Sequence, residues 1–304
     1  MKSAIQGVID EICSDVISVE APAIDESSTF PTKSSTALKT AGLLGAVSSV
    51  DVGGLGIGAR GAAAIVERIA MECGSTAMIT CMHFCGTAVL EVYADELTRR
   101  EAACGNHLST LAFSESSTRS QFWTPTGTAV RKNDKVVLNA HKSWVTSASH
   151  ANSYVWSSQP YEADGLSTLW LVPANTNGLS IEGSFNGLGL RGNDSSPVTA
   201  KDVRIPLSAR LGSDGKGLDI ILETVLPLFT ILNAAISLGL METSVSKAVE
   251  HAKRSRFEHT DSTLADLPTI RNYIGRVRVN TDSVRALLED TLRATESRRP
   301  DAML

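Results

Sequence analysis

Apolar positions recur at helical spacing through roughly the first third of the chain, alternate with polar ones through the middle, and return to helical spacing afterwards. Ile5, Val8, Ile9, Ile12 and Val16 form a stripe that predicts an amphipathic helix over Ile5 to Val19, ended by the Ser/Thr-rich stretch around Pro31. Further helices are expected over Ser35 to Thr40, Ala62 to Met71, Ser75 to Tyr93 and Asp95 to Cys104, with a glycine-rich turn at Val52 to Gly61. From Leu108 the period shortens. Thr126 to Thr146 alternates around Asn133-Asp134 and reads as a hairpin leading into a further strand, and SYVWSS, STLWLVP and PVTAKDVRIP continue the pattern. Gly217 to Phe257 then predicts one long helix bent near Pro227, and Leu267 to Glu296 another. The pattern specifies an α+β chain: an N-terminal helical bundle over 1–108, a small central β-sheet or barrel over 109–212, and a C-terminal helical bundle over 213–304.

Composition narrows the class. The chain has 304 residues, 42% apolar and 20% charged, enough for a large core in two or three structural units. A net charge of -5 and the lack of long basic runs argue against a nucleic-acid surface. Five cysteines without framework spacing, and no secretory signal, fit a reducing compartment, the cytoplasm. The most apolar segment, Val225 to Met241, is short for a membrane span and carries Pro227, Thr230, Asn233 and Ser237, so a buried bundle helix is expected and no membrane partner.

Two motifs match by letters only. Gly56-x-Gly58-x-x-Gly61 has the spacing of a dinucleotide fingerprint, but helix follows helix after it, and no second strand carries an acid to a ribose. Cys81 and Cys85 bracket His83 without a second ligand pair at zinc spacing, so small buried cysteines are expected and no metal. Neither a nucleophile elbow nor an HExxH string occurs.

The candidate chemistry lies in the β block. If their strands pair, hydroxyl-rich Ser114 to Ser120 and Trp144 to Ser149 make a polar rim around an indole plate. Such a rim suits a flat heterocycle with carbonyl and ring-nitrogen acceptors.

Four strings carry a resemblance. AFSESSTRSQ (Ala112 to Gln121) is similar to A-x-T-E-P-x-A-G-S-D, and NAHKSWVTS (Asn139 to Ser147) to G-x-K-x-W-I-T-N. GLGLRGNDSSPVTAKDVRIP (Gly187 to Pro206) resembles a stretch ending in D-V-x-V-P, and AKRSRFE (Ala252 to Glu258) an R-x-x-F-G turn. In this order they resemble the acyl-CoA dehydrogenase family along the whole chain. The resemblance implies FAD, with Phe113 and Ser114 approaching the flavin ring, and Trp144, Val145 and Thr146 packing against it. It places Arg254 and Phe257 on the FAD of a neighbouring subunit, hence a homodimer or homotetramer, and Ser120 on the pantetheine side of a CoA thioester. Arg119, where the family has glycine, adds a cation for a thioester phosphate or a carboxylate substrate.

The implied reaction is α,β-desaturation of an acyl-CoA in fatty acid metabolism, with electrons passing to an electron-transfer flavoprotein. Ser116, Thr118-Arg119 and Gln121 depart from the first signature, and Glu258 replaces the final glycine of the turn. No catalytic residue is assigned: the family's glutamate lies in a last helical segment, and the alternative position reads Leu228, Phe229, Thr230. ESRRPDAML reads as a truncated bundle. A flavin-dependent monooxygenase of the same fold, which needs no glutamate base, and a non-catalytic remnant are the alternatives.

Overall fold

The computed structural model describes residues 3–119 and 121–299. Its N-terminal part holds α1 (Ser3–Ile12), α2 (Ser18–Ser27), α3 (Thr32–Thr40), α4 (Gly58–Ala70), α5 (Gly74–Tyr93) and α6 (Glu96–Ala103). The strands are β1 (Ser109–Ala112), β2 (Thr128–Lys132), β3 (Lys135–Val145), β4 (Ser153–Ser158), β5 (Thr168–Pro173), β6 (Leu179–Ile181), β7 (Ser196–Pro206) and β8 (Arg210–Leu211). Then come α7 (Gly217–Ile220), α8 (Leu226–Arg254), the small hairpin β9 (Arg256–Phe257) and β10 (Ser262–Thr263), and α9 (Pro268–Glu296).

Two sheets, ordered β1-β4-β5-β8 and β2-β3-β7-β6, form the central unit. All their pairings are antiparallel except that of β1 with β4. Alternation along each strand divides its side chains between two cores. Ala112, Tyr154, Trp156, Trp170 and Val172 meet Val136, Leu138, Val198 and Val203 of the opposite sheet. Leu111, Val155, Leu169 and Leu211 point the other way, into a core shared with the helices. That second core is why strands such as β4 are buried throughout. The strings expected side by side therefore do not belong to paired strands. β1 pairs with β4, and LAFSES reaches β3 only beyond its strand, through a bridge between Glu115 and Lys142.

Both breaks in the long helices are π-turns, at Cys13–Ile17 and Ile221–Val225, where Ser18 and Leu226 donate to carbonyls five residues back. Each lies just upstream of a proline inside or at the start of the next helix, Pro22 and Pro227. Proline lacks an N–H and crowds the preceding turn, and a wider turn relieves that crowding. The apolar segment within α8 packs as a bundle helix, with Ile231, Leu232, Ala235, Ile236 and Leu238 buried. By length and composition α5 and the helix over Gly217–Arg254 are each long and apolar enough to cross a membrane, and inside the protein 72% of the most apolar window of α5 and 39% of that of the other are buried.

The letter-only motifs have structural explanations. Gly56 before α4 and Gly58 at its first position turn at φ +57° and +62°, a backbone shape that glycine adopts without strain. Cys81 and Cys85 are fully buried. His83 meets the Leu44 carbonyl at 3.2 Å through Nε2 and accepts the Ser109 N–H through Nδ1. Burial pushes its pKa down to about 4, against the pull of that carbonyl.

Candidate functional site

A cleft of about 170 Å³ opens where the β unit meets the helices. Leu111, Phe113, Ser114 and Phe122 come from β1 and the loop after it, and Ser143 and Trp144 from the end of β3. Met82 of α5, Ile221 and Val225 of the second π-turn, and Leu226 and Phe229 of α8 close the other side. The lining is predominantly apolar, with hydroxyls at Ser114 and Ser143. The Ser143 hydroxyl is shielded from solvent and has no hydrogen-bond partner among the described residues. Such a group marks a place for an acceptor.

Trp144 stands in this wall because β3 is bulged. Lys142 pairs with Val198 and Val145 with Ser196, so Ser143 and Trp144 together oppose Pro197. Pro197 has no N–H to offer a regular ladder at that point. The inserted residue takes φ +58° in Trp144, a conformation usually left to glycine. As a result the indole is 65% exposed, touching Phe185 edge-on at 6.3 Å between centroids. A large apolar plate held in solvent by a strained backbone is a feature kept for a ligand rather than for the core.

Beneath the wall lies a buried ion pair. Lys142 Nζ is 2.7 Å from Glu115 Oε1 and donates also to Ser157 Oγ at 3.0 Å. Glu115 accepts the backbone N–H of Thr126 at 2.7 Å and of Gly127 at 3.1 Å. Burial holds the Lys142 pKa down at about 8, against the attraction of Glu115. Burial alone would raise the Glu115 carboxyl, but the neighbouring ammonium and the Thr126 hydrogen bonds outweigh it and keep it below the usual range.

Of the residues singled out by sequence, Phe113, Ser114 and Trp144 line the cleft. Val145 is fully buried in the sandwich core. Thr146 is buried too, its hydroxyl 3.1 Å from Ser195 Oγ and its carbonyl accepting from Thr110. Arg119 is exposed at the end of a short turn, with φ +51°. Ser120 lies outside the described residues. Arg254 ends α8, about 38 Å along its axis from Phe229, and Phe257 follows it in β9. Arg254 pairs with Glu250 on an open surface and is not brought to this protomer's cleft.

Sequence reasoning missed Met82, Phe122, Ile221 and Val225, which elements distant in the chain bring together, and weighed Phe229 only as a position without a carboxylate. It also passed over Glu115 and Lys142, although both stand inside the strings it quoted. A charge flanked by residues of strand type, with a counter-charge in the partner string, was the available signal.

Comparison with known proteins bears on the fold. Family models for the N-terminal, middle and C-terminal domains of acyl-CoA dehydrogenases match residues 2–102, 110–203 and 215–304 in that order. The human mitochondrial short-chain specific acyl-CoA dehydrogenase is 28% identical over 242 residues, 77% of this chain and 58% of its own length. The cyclohex-1-ene-1-carbonyl-CoA dehydrogenase of Syntrophus aciditrophicus is 25% identical over 284 residues, 90% of this chain and 67% of its own. Butyryl-CoA dehydrogenase from Megasphaera elsdenii superposes with a TM-score of 0.91 at 18% identity, over 99% of this chain and 82% of that one.

Proposed function

Because the chain belongs to the acyl-CoA dehydrogenase family, we propose that the cleft holds the isoalloxazine ring of FAD and that the protein acts in α,β-desaturation of an acyl-CoA thioester. The observation that carries this reading is the exposed, backbone-strained Trp144 beside Ser114 and an unpartnered Ser143 hydroxyl, facing an apolar helical wall. The residues present fit a flavin: the indole offers a face to a flat ring, and the two hydroxyls offer donors to its carbonyl and nitrogen acceptors. FAD, when bound, supplies the hydride acceptor. The chain's own part is to hold the ring's edge at Ser114 and Ser143 and to exclude water with Met82, Leu226 and Phe229. Arg119 is the cation available to the thioester's phosphates, and the cytoplasm is the proposed location, with an electron-transfer flavoprotein as acceptor. No residue lining the cleft among those described is a carboxylate or a histidine, so none is assigned as the base for the α-proton.

The test is reconstitution with FAD followed by anaerobic addition of a short-chain acyl-CoA. Binding of FAD in a one-to-one ratio, with perturbation or bleaching of the flavin spectrum by the thioester, is the expected result. A bound flavin that no thioester reduces, but that an added reductant such as dithionite reduces and oxygen then rapidly reoxidises, would sink the dehydrogenase reading.

A further inference from the structure

We propose that the buried Lys142–Glu115 pair is a positioning device: neither residue lines the cleft, yet the pair holds the bulge that aims the Trp144 indole into it. The inference rests on the flavin reading above. The two residues stand on neighbouring segments of the β side of the cleft, Glu115 immediately after Ser114 and Lys142 immediately before Ser143. A bridge and the Ser143 N–H to Ser114 carbonyl bond of 2.9 Å join the two segments there. Both side chains are shut off from water, at 0% and 2% exposure, and the ammonium lies 5.3 Å over the Trp156 ring.

Stability is a poor explanation for such a pair. Desolvation of two charges rivals their attraction, and apolar residues of equal volume fill a core as well or better. What the pair has and apolar residues lack is direction. The ammonium meets Glu115, Ser157 and the Phe113 carbonyl, the last at 3.4 Å, and Glu115 in turn takes the Thr126 and Gly127 amides. Four separate segments are thus tied to one point. With Lys142 fixed there and Val145 fixed opposite Ser196, the two residues between have a single ladder position to occupy. Trp144 is left with the left-handed conformation. Freed from the pair, β3 gains the option of sliding to a regular register, which turns alternate side chains to the other face.

The experiment compares the native chain with the neutral double variant Lys142→Met/Glu115→Gln. FAD is titrated into each, and the flavin fluorescence, the visible circular dichroism of the bound flavin and the Tm of the apoprotein are followed. A positioning role predicts an unchanged or raised apo Tm together with at least a ~10-fold loss of FAD affinity and an altered visible band, because the indole no longer lies against the ring. Native affinity with a native band in the double variant overturns the inference and leaves the flavin reading standing. A native chain that binds no FAD removes both. If the double variant does not fold, Ser157→Ala takes away one acceptor of the ammonium: a loss of about threefold in affinity with a shifted band supports the inference, and native binding overturns it.

Discussion

Trp144 spends backbone strain of order 1 kcal/mol to keep an indole in water. Nothing in the free chain repays that, so substitution there separates stability from binding. Trp144→Gly relaxes the left-handed position but loses the Phe185 contact and adds chain entropy. The apoprotein is expected to stay within about 1 kcal/mol of native, where truncating a buried tryptophan costs about 3–5 kcal/mol. FAD affinity should fall at least ~10-fold. Urea melts and a flavin titration check the pair of expectations, and a large loss of apo stability would show that the indole serves the core. The same residue marks the limit of legibility. Phe113, Ser114 and Trp144 were readable from two strings, because hydroxyls and an aromatic at strand ends are local signals. The bulge was not: it lies opposite Pro197, more than fifty positions downstream, and alternation read along β3 alone carries no sign of an inserted residue. Val145 and Thr146 were grouped with Trp144 by the resemblance, and the structure buries both side chains behind it.

At the scale of elements, the π-turn over Ile221–Val225 and the junction of α8 with α9 each carry a prediction. The π-turn holds one residue more than an α-turn, and Ile221 and Val225 reach the cleft because of it. Deleting the exposed Glu223 converts it to an α-turn and rotates α7 by about 100° against α8. Helical circular dichroism should survive, while FAD affinity drops by at least ~10-fold; unchanged affinity would mean that the turn does not shape the site. The α8 to α9 junction is held by Glu242, which takes Arg278 at 2.6 Å and Arg285 at 2.8 Å, Arg285 also reaching Glu67 of α4. Hydrogen bonding from Arg278, helped by Arg285 and opposed by burial, holds the Glu242 pKa at about 2. Between its ordinary value and about 2 the unfolded chain binds more protons than the folded one, so stability falls as pH drops through that window. The loss assigned to this group is about 1–2 kcal/mol, discounted for its partial exposure. Glu242→Gln should remove that part of the acid slope and leave stability lower but flatter below pH 4.5; denaturant melts at pH 3 and 6 measure it, and an unchanged slope would discharge Glu242 from the role.

At the scale of the whole molecule, the helix, sheet, helix order was legible because each part keeps one period over many residues, and errors of a few residues at element ends leave the architecture intact. What periodicity cannot carry is distance between sites. Arg254 lies about 38 Å from the cleft end of α8, its side chain 72% exposed on a face with only Glu250 as ion-pair partner among the described residues. If this arginine serves a flavin, it serves one held by another copy of the chain, its planar fork meeting the pyrophosphate of a neighbour's cofactor. That arrangement makes each site a product of two chains, one giving the cleft and the other the arginine, and complementation between crippled chains tests it. Trp144→Gly spoils the cleft and Arg254→Ala the arm, so each variant alone has no intact site. In a two-fold assembly of one chain of each kind, the cleft of the arginine variant meets the arm of the tryptophan variant and is whole, while the second site carries both defects. Random reassociation of equal amounts should therefore restore tight FAD binding at about one quarter of all sites. The measure is the stoichiometry of tightly bound flavin after mixing. Should the mixture bind no more FAD tightly than the separate variants, Arg254 has no part in a neighbour's site, and the cleft must hold its cofactor within a single chain.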